Sequence, residues 1–269
     1  MDIQPFLDTF PLPAKRGILS EIDKQATEKT IEALIAQPAE AAVALADKLV
    51  DPGADGNDIQ ARHLLHAVAI RIPIRGDDRR SAFCEALAGT LAAGRPDRVK
   101  GFIIRQLQLC GGKEVAAAVG AFLTSNELAD DAAQALLAIR EGAAEQFRAA
   151  LPAVKDNPTL RRNILHGLAQ LGDKPSKEAF VAALVDKDEQ TRLLALWGLA
   201  QLADPSTLAD FLAAEAKETG FARTKAASLS IQLAEKLPDA EATKIYHHLQ
   251  STRTGPEEKY LRDLAAAAL

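Results

Sequence analysis

Three arginines, Arg161, Arg192 and Arg223, recur at intervals of 31 residues. Left bare, such a row would form a basic stripe able to hold anions through charge-assisted hydrogen bonds. Acidic turn residues, Asp156 and Asp188, precede two of the three and argue against a bare stripe. The histidines invite a metal reading, because imidazoles one helical turn apart share a face. His63 and His66 stand at that spacing and His247 and His248 are adjacent, yet neither set has a cysteine or carboxylate at a partner spacing that suits zinc. No metal site and no cofactor are expected. Cys84 and Cys110 lie 26 residues apart in apolar helical settings, so two buried thiols are expected over a disulfide or redox pair. The chain has no phosphate-binding glycine loop and no nucleophile motif of the G-x-S-x-G type, and Gly111-Gly112 is a helix stop. With no reaction centre in view, the expected role is not enzymatic.

The elements that carry these residues are set by a repeat. Gly167-Leu168-Ala169-Gln170-Leu171 returns as Gly198-Leu199-Ala200-Gln201-Leu202. With Leu202 as the anchor of its unit, the others are Leu109, Ile139, Leu171, Leu233 and Leu264, in steps of 30, 32, 31, 31 and 31. A period in this range with helical patterning inside it marks a stack of helix pairs. The anchors are expected to be buried at equal intervals. Pairs of helices are predicted at 77–93 with 96–110, 113–123 with 126–139, and 142–154 with 158–171. They continue at 175–185 with 188–202, 205–218 with 221–237, and 239–250 with 256–269. Ahead of them stand helices at 38–50 and 58–72, separated by the breaker Asp51-Pro52-Gly53-Ala54-Asp55-Gly56-Asn57. Residues 1–37 are expected to be an extended, proline-punctuated lead-in followed by capping helices near 14–25 and 27–36. Residues 38–269 read as one continuous array. No run alternates with a period of two over strand length, so the fold class is all-α.

Composition narrows the partners. The chain carries 32 Lys and Arg against 37 Asp and Glu, a formal charge of −5, which disfavours nonspecific attraction to nucleic acid or anionic lipid. Aromatic residues make up 4% and the hydrophobic fraction 48%, dominated by Ala and Leu, so helices are expected to pack closely. The N-terminus has no basic residue ahead of an apolar stretch and does not read as a secretory signal. No apolar run approaches the ~20 residues that span a bilayer. Neither a nucleic acid nor a membrane partner is expected. A cytoplasmic location is the default expectation, and a periplasmic one would follow from a removed leader. The apolar end Leu264-Ala265-Ala266-Ala267-Ala268-Leu269 lacks a polar cap, which suggests a piece of a longer protein or a self-associating helix, with the former favoured.

Aligned by their anchors, the units resemble HEAT repeats, particularly the short bacterial form. Asp186-Lys187-Asp188-Glu189-Gln190-Thr191-Arg192-Leu193-Leu194-Ala195-Leu196-Trp197-Gly198-Leu199-Ala200 is the clearest copy. The resemblance covers residues 96–264, and more loosely reaches back to 38. It implies a right-handed α-α superhelix, a HEAT-type solenoid of helix pairs. It also implies that Arg161, Arg192 and Arg223 pair with turn carboxylates, among them Asp156 and Asp188, as a structural ladder joining successive layers. Phe102-Ile103-Ile104-Arg105-Gln106-Leu107-Gln108-Leu109, Gly142-Ala143-Ala144-Glu145-Gln146-Phe147-Arg148-Ala149-Ala150-Leu151-Pro152 and Lys244-Ile245-Tyr246-His247-His248-Leu249 are also similar to a HEAT module of large bacterial multidomain proteins. Such modules are often joined to carbohydrate-active or haem-binding domains, which implies a scaffold role. HEAT arrays host many unrelated jobs, so the resemblance speaks for fold more than function.

The second helix of each pair has a face formed by positions twelve, eight, five and one before its anchor. It reads Glu127, Asp131, Gln134, Ala138; Thr159, Asn163, His166, Gln170; Gln190, Leu194, Trp197, Gln201; and Phe221, Lys225, Ser228, Gln232. The positions between are mostly Leu, Ile and Ala and belong to the core, so this face should turn outward, onto the concave side of a curved array. A solvated ridge and a partner-binding row both fit it. Trp197, the only tryptophan, is either a binding anchor there or a core residue filling a gap between repeats. The expected contact residues are Asn163, His166, Trp197, Gln201 and Lys225, and the partner a protein or a neighbouring domain of the same longer chain. The runner-up is a HEAT-like nucleic-acid-binding or DNA glycosylase-type enzyme. Such glycosylases resemble this chain in fold but use a basic, aromatic groove, which this acidic and aromatic-poor sequence does not provide. Phycobilin lyases share the short repeats, but no position here specifies a tetrapyrrole site.

Overall fold

A computed structural model describes residues 1–10, 23–92 and 94–269. The described residues contain sixteen α-helices and no strand. In order they are α1 (Gln4–Leu7), α2 (Lys24–Ala36), α3 (Pro38–Ala46), α4 (Ile59–Arg71), α5 (Asp77–Gly89), α6 (Asp97–Cys110), α7 (Lys113–Gly120) and α8 (Ala129–Ile139). There follow α9 (Ala143–Ala150), α10 (Pro158–Gln170), α11 (Lys177–Ala183), α12 (Glu189–Leu202), α13 (Leu208–Glu215), α14 (Gly220–Ala234), α15 (Asp239–Thr252) and α16 (Lys259–Ala267). The predicted helix at 14–25 falls almost wholly outside the described residues.

Local chemistry explains where the helices begin and end. Asp23, Asn157 and Asp188 each accept a hydrogen bond from a first-turn backbone N–H, from Ala26 at 3.0 Å, Leu160 at 3.1 Å and Thr191 at 3.0 Å. These N-caps satisfy donors that have no partner inside the helix. Pro38 and Pro158 occupy first-turn positions, where a missing N–H removes nothing. The lead-in departs from expectation for the same reason. Pro5 falls in the first turn of α1, so residues 4–7 coil instead of extending, and Ile3 and Leu7 are buried.

Contacts divide the chain into two compact units, Met1–Gln146 and Phe147–Leu269. In the first, α3, α5 and α7 pack in one succession and α4, α6 and α8 in another, with α3 on α4, α5 on α6 and α7 on α8. In the second, α10, α12 and α14 pack in succession, α11 lies on α12, α13 on both α14 and α15, and α15 on α16. Each unit is thus two layers of helices built from consecutive pairs, the helical-repeat architecture.

The period is present, but of its anchors Leu233 alone is buried. Leu109 is 45% exposed and Leu264 42%, while Leu233 is 1% exposed; Ile139, Leu171 and Leu202 are half-buried. The expectation of equal burial is corrected. Most anchors sit in the last turn of their helix or just beyond it, where packing thins. One turn earlier, at three residues before the anchor, every position is buried: Gln106, Leu136, Leu168, Leu199, Ser230 and Leu261. That position lies on the same stripe but deeper between the layers.

Candidate functional site

The second unit carries the face predicted from the repeat. Thr159, His166 and Gln170 of α10 are exposed and Asn163 is half-buried. On α12 Gln190 is exposed, and Leu194, Trp197 and Gln201 are half-buried. On α14 Phe221, Lys225 and Ser228 are exposed and Gln232 is half-buried. None of the twelve positions is buried. The residues between them close the core, among them Ile164, Leu165, Leu168, Ala195, Leu196, Leu199, Ala226 and Ala227. In the first unit the corresponding positions, on α8 and just ahead of it, are mostly acidic or polar, with Glu127, Gln134 and Ala138 exposed and Asp131 held by Arg105 of α6 at 2.7 Å.

Two of these side chains meet across helices. The His166 and Trp197 rings stack with centroids 5.2 Å apart and planes inclined by 24°. Both occupy the position five before their anchors, so the contact joins equivalent sites of adjacent repeats. The stack pairs the exposed imidazole with a half-buried indole, an apolar ring system with a polar N–H edge. Phe221 is 75% exposed and belongs to the same face, although the sequence reading did not single it out as a contact residue. The signal was there: a large apolar side chain on a row of amides. Gln201 accepts a hydrogen bond from Lys236 Nζ at 2.9 Å, which orients its carboxamide.

The arginine row is paired. Arg192 forms a two-pronged pair with Glu218, Nε to Oε1 at 2.6 Å and Nη2 to Oε2 at 2.9 Å. Arg223 does the same with Glu258, at 2.6 Å and 3.1 Å. Arg161 pairs with Asp186. Each arginine also donates to a backbone carbonyl: Arg161 to Lys155, Arg192 to Asp186 and Lys187, and Arg223 to Thr252. One guanidinium therefore fixes a turn and reaches a carboxylate further along the chain. Asp188 belongs to Arg162, at 2.8 Å, while capping α12 and accepting from the Thr191 hydroxyl at 2.7 Å. These hydrogen bonds, that from Thr191 foremost, bring its carboxyl down to about 2. Asp156 is exposed, and the carboxylates that take the row are Asp186, Glu218 and Glu258. The sequence carries a signal for these pairs: an arginine followed 26 residues later by a carboxylate marks Arg105–Asp131, Arg162–Asp188 and Arg192–Glu218 alike.

A denser charge cluster closes the second unit. Arg253 and Glu215 are both fully buried and paired with each other. His248 Nε2 lies 2.7 Å from the other Glu215 oxygen, and Arg253 Nη1 reaches Glu258 at 3.3 Å. Burial lowers the pKa of His248. The Arg223 guanidinium holds Glu258 at about 2. A buried carboxylate with two cationic or donor partners is what burial of charge requires. The cluster ties α13, α15 and the turn ahead of α16 together, so His248 is engaged in structure. Sequence spacing gave no hint of it, because its members come from three separate elements. In the first unit His63 stacks on Phe10 at 3.7 Å and His66 Nδ1 lies 2.8 Å from Gln106 Oε1, which accounts for both.

Comparison with known proteins bears on the repeat. Residues 144–231 match the family described as HEAT repeats, and this stretch is a HEAT-type helical-repeat region. No curated protein matches the chain. Among solved structures it is similar to an engineered protein from the Northeast Structural Genomics Consortium, at 18% identity and a TM-score of 0.48, covering 92% of this chain and 75% of that one. It is also similar to the complex of CpcE and CpcF of phycocyanin lyase from Nostoc sp. PCC7120, at 15% identity and a TM-score of 0.37, covering 96% and 98%. A further engineered protein from the same consortium matches at 16% identity and a TM-score of 0.41, covering 88% and 99%. No described helix is long and apolar enough to cross a membrane.

Proposed function

We propose that this helical-repeat chain is a protein-interaction module, acting by binding and without catalysing a reaction, and that the second unit docks its partner on the face of α10, α12 and α14. One observation carries the reading: the His166–Trp197 stack joins equivalent positions of adjacent repeats, pairing an exposed imidazole with a half-buried indole on an amide-rich face. Asn163, Gln201 and Lys225 flank it with polar groups, and Phe221 adds a second apolar anchor. Helices fixed by their own core need little ordering on docking, which leaves more of the contact energy for affinity. Buried or half-buried aromatic anchors are where interface energy concentrates. The partner is a protein segment or a neighbouring domain of a longer chain. Peptides selected by display against the full chain test this directly. Titrated by anisotropy, they should lose roughly tenfold or more in affinity to Trp197→Ala and little to Lys217→Ala, an exposed residue outside the face. Selected binders indifferent to Trp197, Phe221 and Lys225 together would remove the proposal.

A further inference from the structure

We propose that Cys84 and Cys110 form a reversible dithiol–disulfide site in the first unit, closed by a peroxide-class oxidant and reopened by a thiol reductant. The two thiols are unlinked and both buried, one on α5 and the other at the end of α6. Their sulfurs are only 3.3 Å apart. A disulfide needs about 2.05 Å, so side-chain rotation and a small approach of the two helices close the gap. Neither thiol has another acidic or basic group as its hydrogen-bond partner. The Cys84 Sγ–H also points to the Cys110 carbonyl at 3.3 Å, and Cys110 Sγ–H to the Gln106 carbonyl at 3.3 Å.

Positive charge stands beside the pair. Arg80, one helical turn before Cys84 on the same helix, donates to the Cys110 carbonyl at 3.1 Å. Glu114 and Asp77 brace it at 2.6 Å and 3.0 Å. The hydrogen bond with Cys84 foremost, and then burial, push the Cys110 thiol well up; the Arg80 guanidinium works the other way, towards the thiolate that oxidation requires. The site is closed enough that its oxidant must be small. In the first step one thiolate attacks an oxygen of hydrogen peroxide, the O–O bond breaks, and a sulfenic acid and water result once protons are shared out. In the second step the other sulfur attacks the sulfenic sulfur, the S–O bond breaks, and a second water leaves with the remaining thiol proton. The dithiol loses two electrons and the peroxide gains them. A neighbouring thiol so close should intercept the sulfenic acid before it oxidises further.

The bond would link α5 to α6 and restrict the unfolded chain, raising the melting temperature by several degrees. The test treats the folded full chain with hydrogen peroxide, quenches it, and then counts thiols in denaturant alongside intact mass and peptide mapping. Expected are paired loss of both thiols, a mass lower by two hydrogens, a linked peptide containing Cys84 and Cys110, monomeric chains, and full reversal by dithiothreitol. Mapping separates any oxygen added at Met1. In Cys84→Ser, the remaining Cys110 should instead gain oxygen on treatment. Three results overturn the site: oxygen added to each cysteine separately, disulfides between chains, or thiols that survive in the folded chain and react only after urea.

Discussion

The fully buried ring of Phe180 occupies the space that a side chain on Gly198 would need: a β-carbon built there would stand 2.5 Å from its ring carbons. Phe147 stands to Gly167 in the same way, also at 2.5 Å. The glycine that opens the repeated Gly-Leu-Ala-Gln-Leu motif is therefore a packing requirement. It lets a phenylalanine from the first helix of a pair press against the backbone of the second.

Gly198→Ala should destabilise the chain by about 1–3 kcal/mol through overpacking, although alanine is the better helix former. Urea unfolding followed by circular dichroism measures it. Adding Phe180→Leu to Gly198→Ala should recover part of the loss, because the smaller side chain vacates the contested space. A neutral or stabilising Gly198→Ala would mean that the ring moves aside freely.

Trp197→Ala should leave helicity nearly unchanged and cost no more than ~2 kcal/mol of stability, since the side chain is half-buried. His166→Ala should shift the emission of this sole tryptophan by exposing the face of the indole. Unfolding of the Trp197 variant would place that residue in the core and withdraw it from the interface.

Arg192→Ala leaves Glu218, whose side chain is 3% exposed, charged and without its partner. The expected loss is about 3 kcal/mol. Arg192→Ala combined with Glu218→Gln should lose less than Arg192→Ala alone, because the stranded charge is gone. Equal losses in the single and double variants would show that the pair contributes only through packing.

Acid stability should report Asp188 and Glu258. Both fold with a pKa near 2, against ordinary values of 3.8 and 4.5. A carboxyl depressed by folding stabilises the native state above its unfolded value, and that contribution disappears as pH falls through the folded one. Stability should therefore be level above about pH 5 and decline between pH 4 and pH 2. Asp188→Asn, which keeps a capping side chain, should lower the plateau and flatten the decline, as should Glu258→Gln. Chemical denaturation at stepped pH checks both, and an unchanged slope in either variant would count against the assigned ion pairs.

Much of the fold could be read in advance because a 31-residue period forces equivalent residues onto equivalent surfaces. The predicted second helices 158–171 and 188–202 correspond to α10 and α12 within a residue or so at each end. The outward face followed from that phase alone. The same reasoning failed for the anchors, since a repeating leucine marks periodicity and not depth: Leu109 and Leu233 share a register but differ in exposure as 45% to 1%. Nor does proline spacing reveal α1, because the same residue that breaks a helix interior suits a first turn.

From the sequence alone came the helical class, the pairing of helices, and the set of side chains excluded from the core, because each depends on periodicity within a short stretch. Tertiary structure decided that Arg192 meets Glu218, that His166 lies on Trp197, that Phe180 fills the hollow at Gly198, and that Arg253, Glu215 and His248 converge. Those contacts depend on the distance and rotation between helices. Such geometry emerges only when all the side chains of two layers have packed together.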